Sequence, residues 1–176
     1  MAAENENIAL IFGASGLDLT SQVSTCEKLE TIPHIRDVTH VYFVAYTGHG
    51  GSPRDVVEVN SAILENALLA VSRLCSEMRF FTLQTGGKGY GAAGHPFPPA
   101  PWKEDLPRLP EPFASDIFYY AQYDIVAKHA ARKSWKWSEI RPSYLVRTWT
   151  AFHLSLWYLA NRHTLISQDL FRILTP

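Results

Sequence analysis

The pattern of hydrophobic and polar positions predicts four strands. Apolar runs at 7–16, 38–48 and 78–86 are typical of strands buried on both faces of a parallel sheet. The second run is rich in β-branched and aromatic residues, which favour strands. Residues 135–146, "WKWSEIRPSYLV", are the fourth strand candidate.

Between these strands the hydrophobic period changes to that of a helix. In 56–78 apolar residues recur at three- and four-residue spacing, which predicts an amphipathic helix; they are Ile63, Leu64, Ala67, Leu68, Val71 and Leu74. A second helix is predicted over 115–133, with Ser115 or Asp116 as its N-cap. The proline-dense stretch 92–116 is predicted to be extended and irregular. The tail from Phe152 to Leu174 is apolar and predicted to be helical.

Strands that alternate with helices predict an α/β fold with a parallel sheet and right-handed crossovers. In such sheets ligands bind beyond the carboxyl ends of the strands. The segments that follow the strands are therefore the candidate site, and they are Gly13–Gly16, Ala45–Gly48, Thr85–Tyr90 and Arg141–Ser143.

Composition narrows the class of protein. The chain has 176 residues, of which 47% are hydrophobic and 19% charged, as expected for one globular domain. A net charge of −1 without a dense basic block argues against a nucleic-acid partner. No apolar stretch reaches the ~20 residues of a membrane span, and the polar start "MAAENEN" has no signal core. Cys26 and Cys75 suit a reduced environment, so we expect a cytoplasmic protein.

Gly13, Ser15 and Gly16 form the first candidate site, in the motif "GASG" after the first strand. Glycines there let backbone N–H groups approach a pyrophosphate, and a helix N-terminus would complete the site. A full fingerprint has a third glycine where this chain has Leu19, and Asp18 adds a negative charge. The motif is therefore either a phosphate loop or only a turn at the end of a strand.

The second candidate site joins a glycine-rich loop to a tyrosine-rich helix. Lys88 lies in "TGGKGYG", where it is either a solvated loop lysine or a group brought up to a ligand. Tyr119 and Tyr123 share a helix face, with Tyr120 beside Tyr119. Aromatic packing explains two of these tyrosines, and one facing the strand ends could donate a proton to a carbonyl or enolate.

Two other kinds of site are not indicated. The histidines His40, His49 and His95 are scattered and form no metal-ligand spacing, so no metal site is expected. A Gly-x-Ser-x-Gly elbow is absent from the sequence, which leaves a hydrolase triad without its nucleophile turn.

Six motifs, in chain order, resemble the progesterone 5β-reductase/iridoid synthase-like (PRISE-like) short-chain dehydrogenases, especially their fungal members. They are "ALIFGASG", "VTHVYFVAY", "EVNSAILENAL", "RFFTLQTGGKGYG", "EDLPRLPEPFASDIFYYAQYDIV" and "WSEIRP". The resemblance covers most of 8–143. It implies a Rossmann-like fold, NADPH as cofactor and reduction of an activated enone or enal.

The resemblance also implies roles for single residues. Lys88 would be the catalytic lysine, and Tyr120, with Asp124 four residues on, would be the catalytic tyrosine; Tyr119 is the alternative. The cofactor would contact the ends of the four strands, at Gly13, Ser15, Gly16, Ala45, Thr85 and Pro142.

The chain departs from the family pattern between its first two strands. Members of the family it resembles carry helix, strand, helix, strand and a further helix there. Only Leu17 to Asp37 lie between the two strands here, and since one βαβ unit already needs about 30 residues or more, that whole segment cannot fit. We therefore expect a single shortened domain, 1–176, with a core at 8–146 and a helical tail at 147–176. The region of strands 2 and 3, its loop for the 2′-phosphate and most of the C-terminal substrate subdomain would be missing. The first strand would become an apolar edge that is covered or self-associates into a homo-oligomer.

Three functions follow from these expectations. The first is a compact NADPH-dependent reductase acting on a small-molecule enone, enal or related carbonyl, possibly in secondary metabolism. The second is a non-redox descendant that isomerises, cyclises or merely binds a ligand. The third is an inactive truncated product. The pair Lys88 and Tyr120 favours the first two, and loss of the nucleotide half favours the last two.

Overall fold

A computed structural model describes residues 7–13, 17–48, 51–91, 98 and 102–142. In chain order the elements are β1 (Ile8–Phe12), α1 (Gln22–Glu30), β2 (Val38–Phe43), α2 (Pro53–Leu74), β3 (Phe80–Gln84), α3 (Phe118–Ala130) and β4 (Lys136–Ile140). Short 3-10 turns lie at Ile35–Asp37, Gly87–Tyr90 and Ala114–Asp116. The tail 147–176 lies outside the described residues, so its predicted helix stays a prediction.

The four strands form one parallel sheet in the order β1-β2-β3-β4. This confirms the predicted α/β class and the parallel sheet. A single helix, α1, joins β1 to β2, as expected for a fold that lacks a second and third strand. Among the described strands β1 and β4 are therefore the edges, and self-association at β1 stays a prediction.

The core lies between the sheet and the helices. Leu10 of β1, Val41 of β2 and Phe81 of β3 are aligned across the sheet and nearly fully buried. The helix α2 lies at the centre, packed between α1 and α3, and buries the apolar face that the sequence predicted. Burial of large aliphatic and aromatic side chains contributes about 1.5–3 kcal/mol each to folding, so this layer dominates the stability.

The start of α2 is specified by local chemistry. Ser52 is the N-cap, its side chain accepts from the Asp55 N–H, and the Asp55 carboxylate accepts from the Ser52 N–H at 2.8 Å. Pro53 occupies the first turn, where a missing N–H costs nothing. The helix therefore starts three residues before the predicted position, because a capping box outweighs the hydrophobic period.

The predicted N-cap of the helix at 115–133, which the structure shows as α3, is wrong. Ser115 and Asp116 belong to a 3-10 turn, and α3 begins at Phe118 with Ile117 as an N-cap whose side chain makes no capping hydrogen bond. The Tyr120 N–H bonds to the Ile117 carbonyl at 3.0 Å, which closes the turn between the two elements.

Candidate functional site

The carboxyl ends of the four strands meet at one edge of the sheet. Main-chain hydrogen bonds continue past the strands there, from the Val44 N–H to the Phe12 carbonyl at 2.8 Å and from the Thr85 N–H to the Ile140 carbonyl at 2.9 Å. The described residues that follow β1, β2, β3 and β4 therefore lie at one edge, beginning with Gly13, Val44, Thr85 and Arg141. This is the edge at which open parallel sheets bind ligands.

At the end of β1, Gly13 has a φ of +135°, which L side chains rarely adopt. A methyl group on it would clash with Cγ2 of Val44. Packing against β2 thus explains this glycine, whether or not a ligand binds beside it. Ser15 and Gly16 lie outside the described residues, so their contact with a cofactor stays a prediction.

The helix after the glycine turn begins late. The first residue of α1 is Gln22, with Ser21 as N-cap, and Leu19 is buried in the core. Asp18 accepts hydrogen bonds from both the N–H and the hydroxyl of Thr20, at 2.9 and 2.6 Å. Because Leu17–Ser21 precede Gln22 in the chain, α1 does not follow directly on the "GASG" motif.

The segment after β2 is held by one buried asparagine. Asn60 of α2 is fully buried; its Oδ1 accepts from the Thr47 N–H at 3.0 Å and its Nδ2 donates to the Thr47 carbonyl at 2.9 Å. The Gln122 side chain donates to the Asn60 carbonyl at 3.0 Å and ties α3 to the same place. Ala45, a predicted cofactor contact, lies half-buried in this fastened segment.

The glycine-rich loop after β3 forms a single 3-10 turn, Gly87–Tyr90, closed by Gly91 with a φ of +100°. The Gly89 N–H bonds to the Gly86 carbonyl at 3.0 Å. Gly87 and Gly89 are buried, whereas Lys88 between them is exposed. The turn therefore presents the ammonium group outwards at the sheet edge.

Tyr119 is half-buried against the start of this loop. A methyl group on Gly86 would lie 3.1 Å from the Tyr119 hydroxyl oxygen, so the glycine makes room for the phenol. The neighbouring Phe118 ring stacks on Tyr46 of the segment after β2, with centroids 5.5 Å apart. Burial, and then the nearby Tyr46, raises the pKa of Tyr119. The phenol thus stays protonated and able to donate a hydrogen bond.

Tyr120 is buried, and its hydroxyl is already paired with main-chain groups. The hydroxyl donates to the Gly89 carbonyl at 2.8 Å and accepts from the Leu109 N–H at 3.0 Å. The Arg108 guanidinium lies 5.0 Å from the centre of the Tyr120 ring. Tyr120 thus contacts the loop that carries Lys88, because its partner Gly89 is the next residue in the chain after Lys88. The catalytic role of Tyr120 stays a prediction.

A buried carboxylate joins β3 to β4 at the same edge. Glu139 accepts from the Thr85 hydroxyl at 2.6 Å and from Arg141 Nη2 at 2.7 Å. The hydrogen bond to the Glu139 carboxylate raises the pKa of Arg141. Partial burial of Arg141 opposes this effect but is the smaller of the two. Thr85, a predicted cofactor contact, is thus buried and bonded to protein, whereas Pro142 is half-buried beside Arg141.

Sequence reasoning missed Asn60, Glu139 and Arg108 as parts of this edge. A signal for Asn60 was present, because it occupies the same helical face as Ile63 and Leu64, where an apolar residue is expected. The other two depend on partners far along the chain. Their roles follow only from the fold.

Two further findings concern the described part of the chain. It contains no group of three or more His, Cys, Asp or Glu side chains placed to hold a metal ion. None of its helices is both long and apolar enough to cross a membrane.

Comparison with known proteins identifies the family. Residues 4–155 match the model of the PRISE-like Rossmann-fold domain. The chain is 38% identical over 142 residues to the short chain dehydrogenase ausT of Aspergillus calidoustus and 37% identical over 140 residues to sirQ of Leptosphaeria maculans. It is 34% identical over 129 residues to the (S)-8-oxocitronellyl enol synthase ISY1 of Nepeta racemosa.

These matches cover most of this chain but only part of each relative. They span 75%, 75% and 67% of the chain, and 34%, 36% and 32% of the three relatives, respectively. The chain thus spans about a third of the length of these relatives.

Solved structures share the fold. The dTDP-glucose 4,6-dehydratase DesIV of Streptomyces venezuelae aligns with a TM-score of 0.52 and 12% identity, over 70% of this chain and 36% of that one. The UDP-N-acetylglucosamine 4-epimerase of Bacillus cereus aligns with a TM-score of 0.51 and 17% identity, over 88% and 58%. Together with the match over 4–155, the parallel sheet and the glycine loop at its edge show that the chain belongs to the PRISE-like family of Rossmann-fold proteins.

Proposed function

We propose that the chain is an NADPH-dependent reductase that acts on an activated enone, enal or related carbonyl compound in secondary metabolism. Its fungal relatives are named short chain dehydrogenases, and the plant relatives are named enol synthases. The observation that carries the proposal is the place of the Tyr119 phenol. It lies against Gly86, at the end of β3 and beside the loop of Lys88.

The described residues fit the nicotinamide half of such a cofactor. Gly86 lets the Tyr119 phenol lie at this edge, and Ala45 and Pro142 line the same edge half-buried. The pyrophosphate half has less support, because Val44 fills the space beside Gly13 and α1 begins only at Gln22. When bound, the reduced nicotinamide would supply the hydride for the reaction.

The residues of this chain would stabilise the charge that develops on the substrate oxygen. A protonated Tyr119 can donate a hydrogen bond to a carbonyl oxygen, and that bond strengthens as the oxygen becomes an enolate. Lys88 would add a positive charge nearby, which favours the same state. Tyr120 would first have to break its hydrogen bond to the Gly89 carbonyl before it could act in this way.

Three variants test these roles in an assay that follows NADPH oxidation with a panel of enals and enones. Removal of a hydrogen bond to a developing oxyanion costs about 10²- to 10³-fold in kcat. We expect a loss of that size for Tyr119→Phe, a smaller loss for Tyr120→Phe and a loss for Lys88→Ala. Equal activity of Tyr119→Phe and the unmodified chain would contradict the role of Tyr119.

A non-redox isomerase or cyclase is the second candidate. The late start of α1 favours it, because a cofactor-free site needs no helix behind a phosphate loop. The same substrates incubated without NADPH separate the two. Product formed at an undiminished rate without cofactor supports the second candidate and contradicts the reductase.

A further inference from the structure

Tyr120 lies at a junction of three segments that are distant in sequence. Its ring belongs to α3, its hydroxyl donates to the carbonyl of Gly89 in the glycine loop, and it accepts from the N–H of Leu109 in the proline-rich segment. A phenol can donate only one hydrogen bond, and here its acceptor is a main-chain carbonyl. The side chain is also 6% exposed, so little of it faces solvent or a ligand.

Arg108 strengthens the junction from the outside. Its guanidinium donates to both carboxylate oxygens of Asp124, at 2.6 and 2.8 Å, and covers the rings of Tyr120 and Tyr123 at 5.0 and 5.4 Å. The planar fork of arginine suits a carboxylate and an aromatic face at once, which a lysine does not. Because this ion pair is solvent-exposed, it contributes little to the free energy of folding, and its main effect is to fix the position of the Arg108 guanidinium.

The described part of the proline-rich segment is exposed and poor in main-chain donors. Pro107, Pro110 and Pro112 have no N–H, and most side chains of 102–112 are exposed. Its Trp102 ring stacks on Tyr90 of the glycine loop, with centroids 5.4 Å apart. The segment is therefore tied to the glycine loop at two points, directly by Trp102 on Tyr90 and through the Tyr120 hydroxyl at Leu109.

We propose that Tyr120 is a positioning residue, which with Arg108 and Asp124 fastens the segment 102–113 to the glycine loop and so fixes the loop that carries Lys88. The fastening follows from the contacts alone. Its effect on turnover rests on the proposed function. Tyr119, whose phenol faces Gly86, is left as the tyrosine that contacts the substrate.

The first test measures the fastening without any reaction. Tyr120→Phe removes both hydrogen bonds and keeps the ring under Arg108. With a net hydrogen-bond contribution of about 0.5–1.5 kcal/mol, we expect roughly 2- to 12-fold faster hydrogen exchange at the Leu109 amide and faster trypsin cleavage after Arg108. Tyr42→Phe, which removes a phenol from β2, is the matched control and should change neither rate. Unchanged exchange and cleavage in Tyr120→Phe would overturn the proposal.

A second variant addresses the outer part of the junction. Arg108→Lys keeps the charge but loses the paired hydrogen bonds to Asp124 and the cover over Tyr120. We expect it to speed exchange at Leu109 as Tyr120→Phe does. Trypsin still cleaves after a lysine, so both measurements remain possible. Exchange at Leu109 as slow as in the unmodified chain would remove Arg108 from the junction.

The third test separates positioning from chemistry through the pH–rate profile. A tyrosine that donates to the substrate sets the alkaline limb of that profile. We expect Tyr120→Phe to keep the apparent pKa of this limb and to lower kcat about tenfold or less, whereas Tyr119→Phe removes the limb. Loss of the limb in Tyr120→Phe would restore Tyr120 as the catalytic tyrosine. An absence of turnover in the unmodified chain would contradict the proposed function and leave the exchange and cleavage results intact.

Discussion

Asn60→Ala is the most informative single change to the framework of the site. The side chain makes three hydrogen bonds with main-chain groups, two to Thr47 and one from Nδ2 to the Val56 carbonyl at 2.9 Å. Each is worth about 0.5–1.5 kcal/mol net, and a buried partner left unpaired costs more. Thr47 is half-buried, so water replaces part of what is lost. We expect a loss of about 2–4 kcal/mol in the free energy of unfolding.

Asn66→Ala on the same helix is the matched control. Its side chain donates one hydrogen bond, from Nδ2 to the Leu19 carbonyl at 2.8 Å. Both changes replace asparagine by alanine within α2, so the gain in helix propensity is the same and cancels in the comparison. The control should lose only about 0.5–1.5 kcal/mol.

The assay is urea unfolding followed by tryptophan fluorescence, which reports on the five tryptophans of the chain. A slope of about 2 kcal/mol per molar urea converts the expected loss for Asn60→Ala into a midpoint shift of about 1–2 M. The control should shift by less than about 0.8 M. Equal midpoints for the two variants would refute the reasoning that the segment after β2 depends on Asn60.

Three further predictions concern single groups. Gly13→Ala should destabilise the fold by about 1–3 kcal/mol, because its φ is unfavourable and the new methyl would meet Val44; an unchanged urea midpoint would contradict this. Burial raises the pKa of Cys75 to about 12, so its thiol should resist alkylation at pH 8 until the protein unfolds, and its stabilising effect should fade only as pH rises above ~8.5. Burial, and then the nearby Arg79, lowers the pKa of His40, so the free energy of unfolding should fall as pH drops below ~6.5. A Tm that is equal at pH 7 and pH 5 in both the unmodified chain and His40→Phe would contradict this.

The strands and the long helix were predictable because their signals are local. Runs such as "IALIF" and the three- and four-residue period around Leu64 need no knowledge of distant residues. The helix α1 was not predicted. It has nine residues, and few of them are apolar and buried, so its hydrophobic period is too short to stand out.

The fine geometry of the site could not be read from the sequence. Tyr119 and Tyr120 are adjacent and chemically identical, and only the contacts in the fold show that the Tyr119 hydroxyl lies against Gly86 whereas the Tyr120 hydroxyl bonds to Gly89. The partners that occupy the Tyr120 hydroxyl, Gly89 and Leu109, lie 31 and 11 residues away. The resemblance to a family supplied the pair of lysine and tyrosine, and the fold supplies the physical distinction between the two tyrosines.

A calorimetric titration with NADPH tests the central claim most directly. The account predicts binding in the micromolar range, weakened when Gly86→Val crowds the edge beside Tyr119 and unchanged in the control Tyr42→Phe. Heat that stays at the level of dilution up to millimolar NADPH would contradict the proposal that this chain is an NADPH-dependent reductase.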